Sequence, residues 1–219
     1  MLLYLLIFLG GYLVGSLPTA YLAVKARSGL DIRTQGSGNV GGLNVYTVTR
    51  SRGLGLAVGL ADGVKGLLPV AVVMLLGGSF WTLAVALFGP VTGHIFTPWL
   101  RFRGGRGLAT ACGGLLILSL PYAISWCTIW TVWRFLGKGM LAANFLAIVL
   151  TPLVLLLVPG QALMFIPIDG LTAGSARVFA IVLSFLLLLG HLNVLSEIWR
   201  ELLAPQRHSA NKLNSENQQ

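Results

Sequence analysis

The chain has 219 residues, of which 56% are hydrophobic and only 10% charged, with 15 Lys and Arg against 6 Asp and Glu for a net charge of +9. A soluble domain carries about 25% charged residues, so a water-facing globule is excluded, and six carboxylates are too few for a metal–carboxylate site of the usual kind. Cys112 and Cys127 both lie inside apolar stretches, which excludes a disulfide scaffold or a CxxC metal site and predicts free, buried, inert thiols.

The first 24 residues are apolar and lack a basic leader; the first charges, Lys25 and Arg27, follow them. That order predicts a retained transmembrane helix rather than a cleaved signal peptide, with the N-terminus outside. A bilayer-crossing helix takes about 20 apolar residues, and the predicted spans are 2–24, 54–76, 80–100, 141–158 and 176–198. The stretch 108–135 is too long for one upright span, too short for two full ones, and has Pro121 at its centre. Two short crossings turning at Leu120 and Pro121 put Arg134 and Lys138 on the same side as Arg101, Arg103 and Arg106, leaving Arg177 as the sole loop cation outside. The positive-inside rule therefore favours two crossings. The expectation is an all-α polytopic membrane protein of about seven transmembrane helices, N-terminus outside and C-terminus cytoplasmic. Residues 1–203 form one transmembrane domain, and 204–219 a polar disordered tail. Small-residue spacings at Gly11/Gly15 and Gly55/Gly59/Gly63 predict close helix packing.

Dense polar sequence is confined to three segments, all on the predicted cytoplasmic face. The first contains Gly36-Ser37-Gly38-Asn39-Val40-Gly41. It has the form G-x-G-x-x-G, but a membrane helix precedes it where a dinucleotide fold needs a strand, which rules that fold out. Glycines permit close backbone approach, and consecutive N–H groups can form an anion nest. Ser37, Asn39 and Asn44 add neutral donors, and Arg33 and Arg50 add charge, which suits a phosphate monoester. A flexible cytoplasmic linker is the plainer alternative. The second runs from Gly93 to Thr110 and holds Gly104-Gly105-Arg106-Gly107 just before a helix, where free N–H groups, the helix dipole and the Arg106 fork make another anion seat. His94 precedes it near the membrane edge, where a histidine can equally be structural. The third is Gly190-His191-Leu192-Asn193 in the last predicted span; an ionisable residue there marks a site by default. Asp62 and Lys65, three apart on the second span, form a predicted structural pair.

Together with Gly15-Ser16-Leu17-Pro18-Thr19-Ala20-Tyr21, Asp31-Ile32-Arg33, Asp62-x-x-Lys65-Gly66, Gly93-His94-Ile95-Phe96 and Leu108-Ala109-Thr110, these strings resemble the bacterial acyl-phosphate:glycerol-3-phosphate acyltransferases (PlsY). The resemblance covers the first half in order and spacing; beyond Gly114 only the hydrophobic layout and His191 match. It implies seven helices in the cell membrane, an active site facing the cytoplasm, and acyl transfer from acyl phosphate to the 1-hydroxyl of glycerol 3-phosphate. It also implies no cofactor, no metal and no protein general base, with the substrate's phosphate assisting proton removal. The partners expected are the two substrates and the bilayer, and no nucleic acid.

Departures from the family pattern are specific. Where the family reads Ala-Thr-Asn-Val-Leu-Arg, this chain has Gly42-Leu43-Asn44-Val45-Tyr46-Thr47, so a phosphate-binding Thr is replaced by Leu43 and an Arg by Thr47. Arg106 stands for a family Lys, and Asn193 is displaced by one position. The roles expected are phosphate binding by Ser37, Arg106 and His191, and orientation of the first loop by Asn39 and Asn44. Gly36, Gly38, Gly104, Gly105 and Gly107 give close approach, Arg33, His94 and Asn193 support substrate binding, and Arg50 substitutes for the missing arginine. The rival functions are an anionic-metabolite carrier and a catalytically inactive lipid-binding paralogue.

Overall fold

In the computed structural model, which describes residues 1–164 and 166–203, every regular element is helical. The expectation for residues 204–219 lies outside the described residues. Four helical stretches, Leu2–Ser28, Arg52–Leu75, Phe80–Leu100 and Met140–Leu157, are long and apolar enough to cross a membrane. A fifth arises if Ala173–Leu189 and Leu192–Leu203 count as one span despite a 53° bend between them, and Leu108–Leu118 is a shorter apolar helix. Outward-facing aliphatic side chains fit apolar surroundings: on the second long span Leu56, Leu60 and Val64 stay exposed at one-turn spacing.

The first predicted span proves to be two helices, α1 (Leu2–Ser16) and α2 (Thr19–Ser28). Pro18 has no N–H to give, and a residue before proline is driven out of the helical region; Leu17 accordingly sits at φ −56°, ψ 118°. The short α3 (Gly42–Thr49) leads into α4 (Arg52–Leu75), whose first turn is capped by the Ser51 hydroxyl accepting from the Leu54 N–H at 3.3 Å. Next comes α5 (Phe80–Ile95). The stretch 108–135 divides into α6 (Leu108–Leu118) and α7 (Leu120–Phe135) at Ser119, one residue before the predicted turn, with Pro121 in the first turn of α7 where proline is tolerated. The remaining helices are α8 (Met140–Leu157), α9 (Gly160–Leu163), α10 (Ala173–Leu189) and α11 (Leu195–Leu203). The last predicted span, 176–198, is therefore interrupted at Gly190 and His191 rather than continuous. Cys112 and Cys127 are free, as expected, but exposed on the helix surface rather than buried.

The main apolar core joins α5, α6 and α10 through residues such as Leu83, Leu87, Leu115, Phe179 and Leu183, with Tyr122 and Ile148 from α7 and α8. A smaller cluster, Ile32, Val40, Val45, Val58 and Leu100, lies beneath the first glycine loop. Glycine sets the helix spacing. A methyl added at Gly15 would collide with the Pro90 backbone of α5, one at Gly66 with the Thr110 backbone of α6, and one at Gly113 with the Gly63 carbonyl of α4. The predicted packing role holds in this sense for Gly11, Gly15 and Gly55, while a methyl at Gly59 would meet open space and one at Gly63 only an ordinary contact; Gly66 and Gly113 take their place.

Forcing bulk into such a contact costs about 1–3 kcal/mol or more. Gly66→Val is therefore expected to lower the thermal midpoint of the detergent-solubilised protein. Gly53→Ala, at a position with open space around it, should leave the midpoint unchanged or raise it.

Candidate functional site

The first loop begins where α2 stops at Gly29, a left-handed cap whose N–H donates to the Lys25 carbonyl at 2.9 Å. A short 3-10 turn, Ile32–Thr34, follows, with Ile32 fully buried as its anchor. Asp31 caps this turn and holds Arg33: its carboxylate accepts from Arg33 Nε at 3.0 Å and Nη2 at 2.6 Å. Arg33 also donates to the Leu100 carbonyl at 3.4 Å and lies 5.7 Å over the Tyr21 ring. The Arg33 hydrogen bond holds the Asp31 carboxyl below the usual carboxylate range, and Asp31 raises the guanidinium in return. Both groups are thus ionised over all ordinary pH.

Gly36 and Gly38 adopt φ of 57° and 68°, conformations that favour glycine. Asn44, 2% exposed, holds the loop from below. Its Oδ1 accepts from the Ser37 N–H at 3.0 Å, and its Nδ2 faces the carbonyls of Gln35 and Asn39 at 3.0 Å and of Ile32 at 3.4 Å. One amide thus fixes the loop and leaves Ser37 at its surface.

In the second loop, the Gly104 and Gly105 N–H groups donate at 3.0 Å to the Ile95 and His94 carbonyls at the end of α5. These two donors are spent on the scaffold. Glycine is needed for a steric reason: a methyl at Gly105 would strike both the His94 ring and the Val40 carbonyl. Gly107 (φ 79°) starts α6 without a side-chain cap, so the first N–H groups of that helix lack intrahelical partners, an arrangement that attracts anions. Arg106 immediately precedes it. Burial pushes the Arg106 guanidinium below its ordinary value, and Glu197 and Glu201 pull it back; it stays cationic.

The third segment is the break between α10 and α11. Gly190 packs against the Arg106 backbone. His191 is fully buried, with Nδ1 2.8 Å from the Leu187 carbonyl and Nε2 lacking a partner among the described residues.

The three segments enclose a cavity of about 750 Å³, within the range of small-molecule sites. Of the residues expected at the site, Arg33, Ser37, Gly38, Asn39, Gly104, Gly105, Arg106 and Asn193 line it. Gly36, Asn44 and Gly107 shape the loops around it. His191 lies behind the wall next to Gly190. His94 lies outside the wall as well, under the second loop, with its ring 3.7 Å from Asp62. Arg50 is the exposed left-handed cap of α3 and does not line the cavity; neither do Leu43 and Thr47, which share its helix face. The sequence reading missed Asp31, Arg101 and Arg103 as wall residues, and Trp99 and Phe102, which line the cavity while 63% and 62% exposed. The available signal was the basic–aromatic run Trp99-Leu100-Arg101-Phe102-Arg103 directly before two glycines.

Four arginines against one carboxylate, Asp31, give the cavity a cationic field suited to a multiply charged anion. Ser37 Oγ makes no hydrogen bond among the described residues, so no base is in place to activate it as a nucleophile.

A family model described as glycerol-3-phosphate acyltransferase matches residues 5–201. A glycerol-3-phosphate acyltransferase of Synechococcus sp. (strain JA-2-3B'a(2-13)) is 41% identical over 155 residues, covering 71% of this chain and 76% of its own. That of Nitrobacter winogradskyi is 40% identical over 151 residues, covering 69% and 76%. That of Geobacter metallireducens is 45% identical over 124 residues, covering 57% and 62%. The crystal structure of PlsY (YgiH), an integral membrane glycerol 3-phosphate acyltransferase, in its glycerol 3-phosphate form superposes with a TM-score of 0.72 at 25% identity, covering 91% of this chain and 92% of that one.

The hold of Asn44 on the first loop can be measured. Asn44→Ala strands a buried N–H and several carbonyls, at about 1–3 kcal/mol for each unsatisfied group, and amide exchange at Ser37 should accelerate. Asn44→Asp should be worse, because a carboxylate would face carbonyl oxygens.

Proposed function

The chain belongs to the glycerol-3-phosphate acyltransferase family, and we propose that it moves a fatty acyl group from acyl phosphate to the 1-hydroxyl of glycerol 3-phosphate, giving lysophosphatidate and inorganic phosphate. The observation that carries this reading is the arginine-rich cavity, in which Ser37 and Asn39 of the first loop meet Arg106 of the second and Asn193 of the third. Exposed Trp99 and Phe102 at its wall suit a substrate that is phosphate at one end and hydrocarbon at the other.

In the reaction the 1-hydroxyl oxygen attacks the acyl carbonyl carbon. The bond from that carbon to the phosphate oxygen breaks, the electron pair leaves with inorganic phosphate, and the hydroxyl proton passes to a phosphate oxygen. The protein's share is electrostatic. Arg106 and the free N–H groups at the start of α6 receive one phosphate, while Ser37, Asn39 and the Asp31-held Arg33 bind near the other. His191, with its Nδ1 engaged by Leu187, offers Nε2 from behind the wall. Because Leu43 and Thr47 stand outside the cavity, their departure from the family pattern leaves the wall residues intact.

The same reading places seven crossings in the cell membrane, with the N-terminus outside and the cavity at the cytoplasmic face. The concentration of arginine around the cavity supports it. Cysteines introduced at positions 103 and 170, in a Cys112→Ser/Cys127→Ser background, should label from opposite sides of inside-out vesicles; labelling from the same side would remove the seven-crossing arrangement.

Acyl transfer from palmitoyl phosphate to glycerol 3-phosphate by the purified protein tests the activity itself. Losing one preorganised donor to developing charge costs about a hundredfold or more in rate, the loss expected for Ser37→Ala and Arg106→Ala. Arg106→Lys should retain more, keeping the charge but losing the fork. Arg50→Ala, outside the wall, should stay within about twofold of the parent rate.

A further inference from the structure

Beneath the two glycine loops, and apart from the large cavity, lies a buried polar cluster. Lys65 of α4 is 5% exposed and Asp62 2%. Lys65 Nζ donates to the Leu17 carbonyl at 2.6 Å, to Thr19 Oγ1 at 2.9 Å and to Asp62 Oδ1 at 2.7 Å. Thr19 Oγ1 donates to the same carboxylate oxygen at 2.7 Å. The His94 ring presents Nδ1 to that oxygen at 3.7 Å. A cavity of about 10 Å³, room for one water, lies among Thr19, Asp62, Lys65, His94 and Gly105.

Lys65 and Asp62 account for each other: the cation is a second donor to the Leu17 carbonyl at the helix break, beside the Thr19 N–H, and the carboxylate balances the cation. His94 is not needed for either purpose. What it adds is contact with the loops. Its carbonyl accepts the Gly105 N–H, and its ring occupies the space where a Gly105 side chain would go. The Val40 carbonyl, from the end of the first loop, abuts the same glycine. The two loops therefore meet at Gly105, over the His94 ring.

We propose that Asp62, Lys65 and His94 form a positioning unit in which the buried ion pair orients the His94 ring and the ring sets the spacing of the two phosphate-binding loops, and through Gly105 the placement of Arg106. The proposal rests on the acyltransferase reading of the large cavity, and assigns His94 a positioning role rather than a substrate contact.

The test uses the full chain in detergent and reads kcat, the KM for glycerol 3-phosphate, the thermal midpoint, and amide exchange at Val40 and 104–107. Asp62→Asn strands Lys65 and can prevent folding, so the deciding variant is His94→Ala, which leaves the ion pair intact. A misplaced reacting group costs on the order of tenfold to a hundredfold in rate. His94→Ala is therefore expected to lower kcat by about tenfold or more with a midpoint close to the parent's, and to speed exchange at Gly105 and Val40 together. Because both changes act through loop spacing, His94→Ala combined with Gly105→Ala should lose less than the product of the two single losses. His94→Gln, which restores bulk under Gly105, should recover part of kcat. The proposal is overturned if kcat stays within about twofold of the parent, if kcat falls with exchange at Val40 and Gly105 unchanged, or if the two losses simply multiply. Absence of acyl transfer in the parent protein would instead reject the acyltransferase reading, while the exchange data would still decide the positioning role.

Discussion

A single backbone defect organises this molecule. Hydrocarbon satisfies no hydrogen bond, so every carbonyl released inside a membrane must find a partner within the protein. Pro18 breaks the first span and leaves the carbonyls of Ser16 and Leu17 without helical partners, the latter accepting the Thr19 N–H at 2.9 Å. Lys65 from α4 takes one, and the Thr97 hydroxyl, just past α5, takes the other at 2.6 Å. Trp99 then donates to Ser16 Oγ at 3.1 Å, and Tyr12 to the Phe96 carbonyl at 2.7 Å. The break thus fixes where α4 docks and where the chain leaves α5. The second glycine loop starts from that point. A lysine so deeply placed would be costly alone, and Asp62 makes it tolerable.

Much of this was legible in the sequence, because the periodicities involved are long and the composition extreme. The apolar spans, the turn near Pro121, the glycine packing and the Asp62–Lys65 pair all follow from residue type and spacing. The three polar segments also did converge on one cavity. What sequence could not supply was the local accounting of backbone donors. Gly104 and Gly105 look like free anion donors until the Ile95 and His94 carbonyls are seen to take their N–H groups. Arg50 looks like a spare cation one turn beyond Thr47, but the left-handed turn at the end of α3 leaves it outside the wall. Asn44 reads as one polar residue among several, and its grip on four backbone groups depends on a fold that brings 32, 35, 37 and 39 around one side chain. Arg101 and Arg103 read only as topology signals, since nothing in their spacing reveals the reversal through Arg101 and Phe102, both at positive φ.

The loop after α2, the loop after α5 and the break after α10 all border one space. Gathering three interruptions of the helical chain there brings three sets of polar side chains to a single cavity. α11 closes the arrangement from the side: Glu201 accepts the Ala142 N–H at 2.8 Å at the start of α8, and Lys138 donates to the Leu202 carbonyl at the same distance.

This closure also bears on the cation at position 106. A partly buried charge acts through a lower effective dielectric, so its field on a nearby phosphate is stronger than that of a surface charge. Burial, however, favours the neutral form, and an ammonium yields to that pressure more readily than a guanidinium. At Arg106 the pressure is present, since burial lowers its proton affinity while Glu197 and Glu201 restore part of it. Glu201 therefore serves two ends: it holds α11 to α8, and it contributes to the field that keeps this cavity-lining cation charged. A guanidinium in this position keeps its charge at any physiological pH and adds a fork matched to phosphate oxygens. The charge environment of Arg106 is thus tied to the docking of α11, because loosening that helix would both hydrate Arg106 and move its two counter-charges away.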